Sequence, residues 1–352
     1  MQPISEYNSV DELPSYEEIV EYLRKKNRPR HLLVGNGFSM AYDRDIFSYN
    51  ALAQFVDNLE DQLLKDLFTA VNTKNFEQVM QQLESFSEIA RVFGADSQLI
   101  QRIADASDSL KRSLLNAVKE LHPEHVFKIS REKSAKCAQF LSGFLGSGGT
   151  IFTTNYDLLL YWVLMRNGLD NKDGFGREPL NPGVWEDEPE YSELRWGLNS
   201  DHQNVFYLHG ALHIFDTGTE IEKEEYDNAH YLLEKVKERI DDEDYPIFVT
   251  AGTAQQKMVH IRHNRYLSFC YDALEQIRGS LIVFGFGFGQ YDTHIIDAIN
   301  KAALHGAKGT EKLHSIYVSI RTNESLEYLK SIEDRFQLKV NGFQSDTACV
   351  WE

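Results

Sequence analysis

An apolar run that stops abruptly at glycines constrains this chain more than any other stretch. His31-Leu32-Leu33-Val34 leads straight into Gly35-Asn36-Gly37, followed by Phe38-Ser39. A run this short and apolar reads as a strand buried on both faces. Glycine then lets backbone N–H groups approach whatever lies beyond the strand end, because it has no Cβ to hold a ligand away. A simple tight turn would use the same residues. Three further segments repeat the arrangement: Phe152-Thr153-Thr154-Asn155-Tyr156-Asp157, Tyr207-Leu208-His209-Gly210, and Phe284-Gly285-Phe286-Gly287-Phe288-Gly289 with Asp292.

The rest of the pattern sets the fold class. Apolar, β-branched runs at 31–34, 150–154, 205–208, 247–251, 280–285 and 315–320 read as strands. Helical periodicity lies between them: behind Ser15-Tyr16-Glu17-Glu18, through 135–145, from Asp157 onward, and over 266–277 and 294–304. Alternation of this kind predicts an α/β fold, a parallel sheet with helices on both faces. Residues 168–204 read as a long loop and 217–244 as charged and helix-forming. From 51 to 121 the apolar residues recur every three and four positions without a strand signal. Leu52, Phe55, Val56 and Leu59 open the series; Val79, Leu83, Phe86 and Ile89, then Leu99, Ile103 and Leu110, continue it. The expected division is therefore a sheet domain of residues 1–50 and 122–352 with an all-helical insertion at 51–121.

Charge and cysteine content exclude several classes. A formal net charge of −18 argues against direct nucleic-acid binding, which needs a concentrated positive surface. The basic run from Arg24 to Arg30 reads as the solvated end of a helix. Nothing approaches the ~20 apolar residues of a membrane span, and the first residues lack the pattern of a signal peptide. Cys137, Cys270 and Cys349 are few and far apart, with no C-x-x-C pair. A cytoplasmic protein without a metal is the expectation. His260 and His263, with Arg262 between them, read as a polar face rather than a metal site.

Ligands of doubly wound sheets bind beyond the carboxyl ends of the strands, which is where all four motifs sit. Asn155 suits positioning, since an amide can hydrogen-bond both a hydroxyl and a water; it also suits a helix cap. His209 suits a base with a pKa near neutrality, and Gly210 would leave room beside it. Asp157 reads as a helix-start residue.

Taken in order, these motifs resemble the sirtuin-like family. Gly35-Asn36-Gly37-Phe38-Ser39 resembles its Gly-Ala-Gly-x-Ser pyrophosphate loop. Thr153-Thr154-Asn155-Tyr156-Asp157 resembles its Thr-Gln-Asn-x-Asp motif, and His209-Gly210 its His-Gly pair. The stretch from Gly285 to Ile295 resembles Gly-Tyr-Ser-Phe-x-Asp-x-x-Ile of bacterial sirtuin-like proteins, which approaches the adenosine half of the ligand. Sirtuin deacylases carry two C-x-x-C pairs for zinc; this chain has neither, which points to the zinc-free bacterial branch that destroys NAD in anti-phage defence.

That resemblance implies a Rossmann-like fold with NAD as substrate. Asn155 and His209 would be catalytic, and Gly35, Asn36, Gly37, Ser39, Thr154, Asp157, Gly285, Gly287 and Asp292 would bind NAD. It further implies an NAD glycohydrolase held in check by a homo-oligomer or a partner defence protein such as an ATPase. The alternatives are a non-catalytic NAD or ADP-ribose sensor and a structural subunit of a defence complex. Cleaving the nicotinamide–ribose bond releases a neutral leaving group, so no general acid is required. The site has to hold the ribose and place a nucleophile.

Overall fold

The computed structural model describes residues 2–44, 61–72, 76–123, 125–180, 190–225, 231–242, 244–249, 253–304 and 312–352. Its strands are β1 (Arg30–Val34), β2 (Ile151–Thr153), β3 (Phe175–Gly176), β4 (Leu194–Trp196), β5 (Val205–Tyr207) and β6 (Gly210–Asp216). They continue with β7 (Ile221–Lys223), β8 (Pro246–Phe248), β9 (Gly279–Phe284), β10 (Leu313–Ile320) and β11 (Val340–Gln344). The first helices are α1 (Tyr16–Lys26), α2 (Asn36–Tyr42), α3 (Gln62–Val71), α4 (Phe76–Val92), α5 (Ser97–Leu121) and α6 (Arg131–Leu145). The remainder are α7 (Leu159–Arg166), α8 (Leu232–Asp241), α9 (Ala254–His263), α10 (Arg265–Glu275), α11 (Thr293–Leu304) and α12 (Asn323–Ser331). Among the described residues no helix is long and apolar enough to cross a membrane.

Six strands form a parallel sheet in the order β11-β10-β9-β1-β2-β5. From β1 the chain builds outward through β2 and β5, then returns to the other side of β1 and builds outward again through β9, β10 and β11. This is the doubly wound, Rossmann-like order, and its reversal point lies between β1 and β9. The central strands are apolar because helices cover both faces: Leu32, Leu33 and Val34 of β1 and Leu281, Ile282 and Val283 of β9 are wholly buried. Hydrophobic burial at ~25 cal/mol per Å² makes these runs the main driving force for the sheet. Helix α1 begins as its sequence predicts, with Ser15 and Glu18 forming a capping box.

The region between β5 and β9 departs from the expectation. Residues 168–204 are not one loop; they contribute β3 and β4 to a second, antiparallel sheet of order β3-β4-β7-β6-β8. Within 217–244, Ile221–Lys223 is a strand and α8 accounts for the helix. The run beginning at Ile247 pairs as β8 with β6 in that second sheet, not in the parallel one. An apolar run shows that a strand is buried but not which sheet it joins. Residues 250–252 lie outside the described set.

Helices α3–α5 gather a separate apolar cluster around Leu64, Phe68, Val79, Met80, Leu83, Ile103 and Leu110. Phe86, Ile89 and Leu99, which continue the periodic series, are instead substantially exposed. Leu52, Phe55, Val56 and Leu59 fall outside the described residues.

His31 ties three central segments together in its neutral form. Its Nε2 donates to the Arg278 carbonyl at 2.7 Å, and its Nδ1 accepts from Thr150 Oγ1 at 2.7 Å. Burial lowers its pKa from 6.5 to about 4. The unfolded chain takes up this proton below 6.5 while the fold refuses it until about 4, so stability is lost as pH falls through that window. Denaturant unfolding across the window should show a shallower pH slope in His31→Gln than in wild type. Parallel slopes would contradict this.

Candidate active site

The ends of β1 and β9 meet backbone to backbone. Val34 lies beside Phe284 in register, which puts Gly35 and Gly285 at one level. Gly35 N donates to the Phe284 carbonyl at 3.1 Å and Gly37 N to the Gly285 carbonyl at 2.8 Å. A Cβ on Gly37 would stand 2.5 Å from Gly285 Cα, and one on Gly285, at φ +68°, would stand 2.5 Å from Phe38 N. The glycines are thus required by contact between the two loops. This corrects the expected cradle: the Gly35 and Gly37 amides are engaged within the protein, and Gly35 is not among the residues that line the cleft.

That cleft, of about 1510 Å³, opens at the reversal point of the sheet. Asn36, Gly37, Thr154, Asn155, Asp157, His209, Gly285, Gly287 and Asp292 all line it, so nine of the expected residues share one cavity. The loop 286–289 also lines it. None of the four backbone N–H groups there finds an acceptor among the described residues. Phe288 holds a left-handed conformation, φ 51°; its carbonyl accepts from Tyr328 Oη at 2.9 Å and its ring packs on Phe286 and Phe336. Strain of this kind persists only where surroundings over-determine it.

Asn155 and His209 reach the cleft from neighbouring strands. Thr153 of β2 pairs with Tyr207 of β5, so each functional candidate lies two residues past the same level. Ser39, expected to touch a ligand, is instead fully buried behind Asn155. Its Oγ accepts from Asn155 Nδ2 at 2.9 Å and donates to Asp157 Oδ2 at 2.6 Å. Asp157 Oδ1 accepts from Leu159 N at 2.9 Å, holding the first turn of α7. Burial raises the Asp157 pKa, while the Ser39 and Leu159 hydrogen bonds pull it back. The bridge leaves Asn155 its Oδ1 and second N–H for a ligand.

His209 differs from its expected description. Its Nε2 lies 2.9 Å from His294 Nε2. Burial, then His294 and Lys257, drives its pKa well below 6.5 rather than leaving it near neutrality. Gly210 gives no space to a ligand; at φ +81° a Cβ there would meet the Ile247 carbonyl at 1.9 Å. Its freedom lets the chain leave β5 and enter β6 of the other sheet.

Several residues in the cleft wall or directly behind it carried no signal in the sequence. Lys257 of α9 is buried and pairs with Asp292 Oδ1 at 2.9 Å. His294 lies within the Gly285–Ile295 motif, but its partner is 85 residues away. Trp351 donates from Nε1 to the Phe38 carbonyl at 2.9 Å and packs its ring on Phe38 and Tyr42. Spacing along a chain cannot report such distant pairings. His260, Arg262 and His263 form the polar end of α9, with Arg262 paired to Asp272 and Glu275.

A family model for a domain of unknown function, DUF4917, matches residues 32–351. The chain belongs to the DUF4917 family. The match takes in both glycine loops, Asn155, His209, Lys257 and His294, so the whole cleft rim described above lies within the DUF4917 domain. No curated protein matches the chain.

Ser39→Ala would strand the buried Asp157 Oδ2 and release the Asn155 amide. Loss of a satisfied buried partner costs about 1–3 kcal/mol. Urea unfolding should show a loss in that range; an unchanged midpoint would mean that the bridge holds nothing.

Proposed function

We propose that this protein is an NAD glycohydrolase of sirtuin-like type, cleaving NAD to nicotinamide and ADP-ribose. The observation that carries the reading is the convergence of Asn155 and His209, from adjacent parallel strands, on one large cleft at the reversal point of a Rossmann-like sheet. Reversal points are where such sheets bind nucleotides.

The chemistry follows from the groups available. The bond from the anomeric carbon to the nicotinamide nitrogen breaks, and its electron pair leaves with neutral nicotinamide. Water attacks the same carbon, and its proton passes to His209 and on to solvent. Asn155 orients a ribose hydroxyl and the water through its unspent Oδ1 and N–H. His209 stays unprotonated at neutral pH because burial, His294 and Lys257 disfavour its cation; this keeps it in the base form while making it a weaker base than an exposed imidazole. The amides of loop 286–289 suit the pyrophosphate, since an acidic protein needs local donors to hold an anion.

By the same resemblance we take the activity to be a defence function that assembly switches on, since free NAD hydrolysis would empty its own cell. Helix α4 and the turn after it, exposing Phe86, Ile89, Val92 and Phe93, suit such a contact. A fully active single chain would contradict this.

Purified protein, alone and with candidate activators, should release nicotinamide from NAD. Asn155→Ala and His209→Ala should each lower turnover ~10²-fold or more. Full activity in both variants, or tight NAD binding without nicotinamide release, would overturn the reading. Because the His209 base form persists to acid pH, the acidic limb of kcat/KM should fall below 6.5. A limb at or above 6.5 would contradict the assignment.

A further inference from the structure

His209 is half of a pair. Its Nε2 and that of His294 lie 2.9 Å apart, with the rings 27° from parallel. Both imidazoles are buried. Two neutral rings at this separation hold one proton between the facing nitrogens, so one must donate and the other accept. The base role of His209 decides which. A base needs its lone pair toward the substrate, and with Nε2 of His209 on His294 only Nδ1 is left for that, so the shared proton sits on Nε2 of His209 and Nε2 of His294 is bare. Nδ1 of His294 is buried without a hydrogen-bond partner among the described residues. The backbone is pinned there as well, because Tyr271 Oη donates to the His294 carbonyl at 2.6 Å.

Resting on the reading of His209 as the base, we propose that His294 is its positioning residue. His209 donates from Nε2 to His294 Nε2, which leaves the Nδ1 lone pair of His209 facing the cleft. When His209 accepts a proton at Nδ1, its Nε2 proton can pass to His294, whose cation then sits beside Asp292. The tautomer of a catalytic histidine is set by the bond its other nitrogen makes. Here that bond comes from a second histidine on α11.

The charged and titratable groups around the pair are Lys257 from α9, Asp292 before α11 and Tyr271 from α10. His209, Asp292 and His294 offer three ligand atoms within 4.8 Å of one another, which also suits a metal. Lys257 argues against one: its ammonium holds Asp292 Oδ1 at 2.9 Å and is itself buried. A second cation placed beside it would be repelled in a poorly screened setting.

The test is isotope-edited NMR of imidazole nitrogens in full-length protein labelled at histidine, with His209→Ala identifying the signals. Wild type should show His209 protonated at Nε2 and bare at Nδ1. His294→Ala should abolish that preference and lower kcat about 10-fold or more with KM within about twofold. His294→Gln, whose side-chain carbonyl can accept from Nε2, should restore both. A His209 protonated at Nδ1 in wild type, a tautomer unchanged in His294→Ala, or stoichiometric zinc binding that His294→Ala removes would each overturn the proposal. Absence of nicotinamide release would refute the hydrolase reading while the nitrogen signals still decide the pairing.

Discussion

The backbone contact between Gly37 and Gly285 is the constraint around which this site is built. Two loops leave adjacent strands at one level, and a single Cβ on either side would force them apart. Their approach fixes where α2 begins and therefore where Ser39 sits. Ser39 in turn ties Asn155 to Asp157, and Asp157 ties both to the start of α7. On the other side, the same contact places residues 286–289 along the cleft. Tight glycine packing thus shapes the cleft from behind, where the sequence suggested that the glycines would touch a ligand.

Electrostatics complete the arrangement. The candidate catalytic groups are buried and mostly neutral, and Lys257, the one buried cation at the rim among the described residues, is matched by Asp292. Low polarity strengthens each hydrogen bond in such a network and raises the cost of an unpaired member. That accounts for a histidine held neutral well below its ordinary pKa, and for an aspartate whose two oxygens are both engaged.

What the sequence disclosed follows from which interactions are local. Central parallel strands are buried on both faces, so β1, β2, β5, β9 and β10 announced themselves as apolar runs. The strand-end placement of Asn155 and His209 followed from them. The second sheet did not, because β3, β4 and β7 are two or three residues long and too brief for any periodicity. Strand β11 reads Val-Asn-Gly-Phe-Gln and interrupts its apolar pattern at an edge of the sheet. Ser39 was found but given the wrong task, since residue type does not reveal whether a hydroxyl faces a ligand or a neighbour. His294 and Lys257 act through partners distant in sequence, and no spacing rule reaches them.

Under the proposed function, one nucleotide spans the cleft from the Gly285–Gly289 loop to Asn155 and His209. A crystal structure of the His209→Ala protein with NAD tests it most directly. The pyrophosphate should lie against the amides of 286–289 and the nicotinamide ribose within hydrogen-bonding distance of Asn155. A dinucleotide bound elsewhere, or lying in the cleft with its ribose away from Asn155, would contradict it.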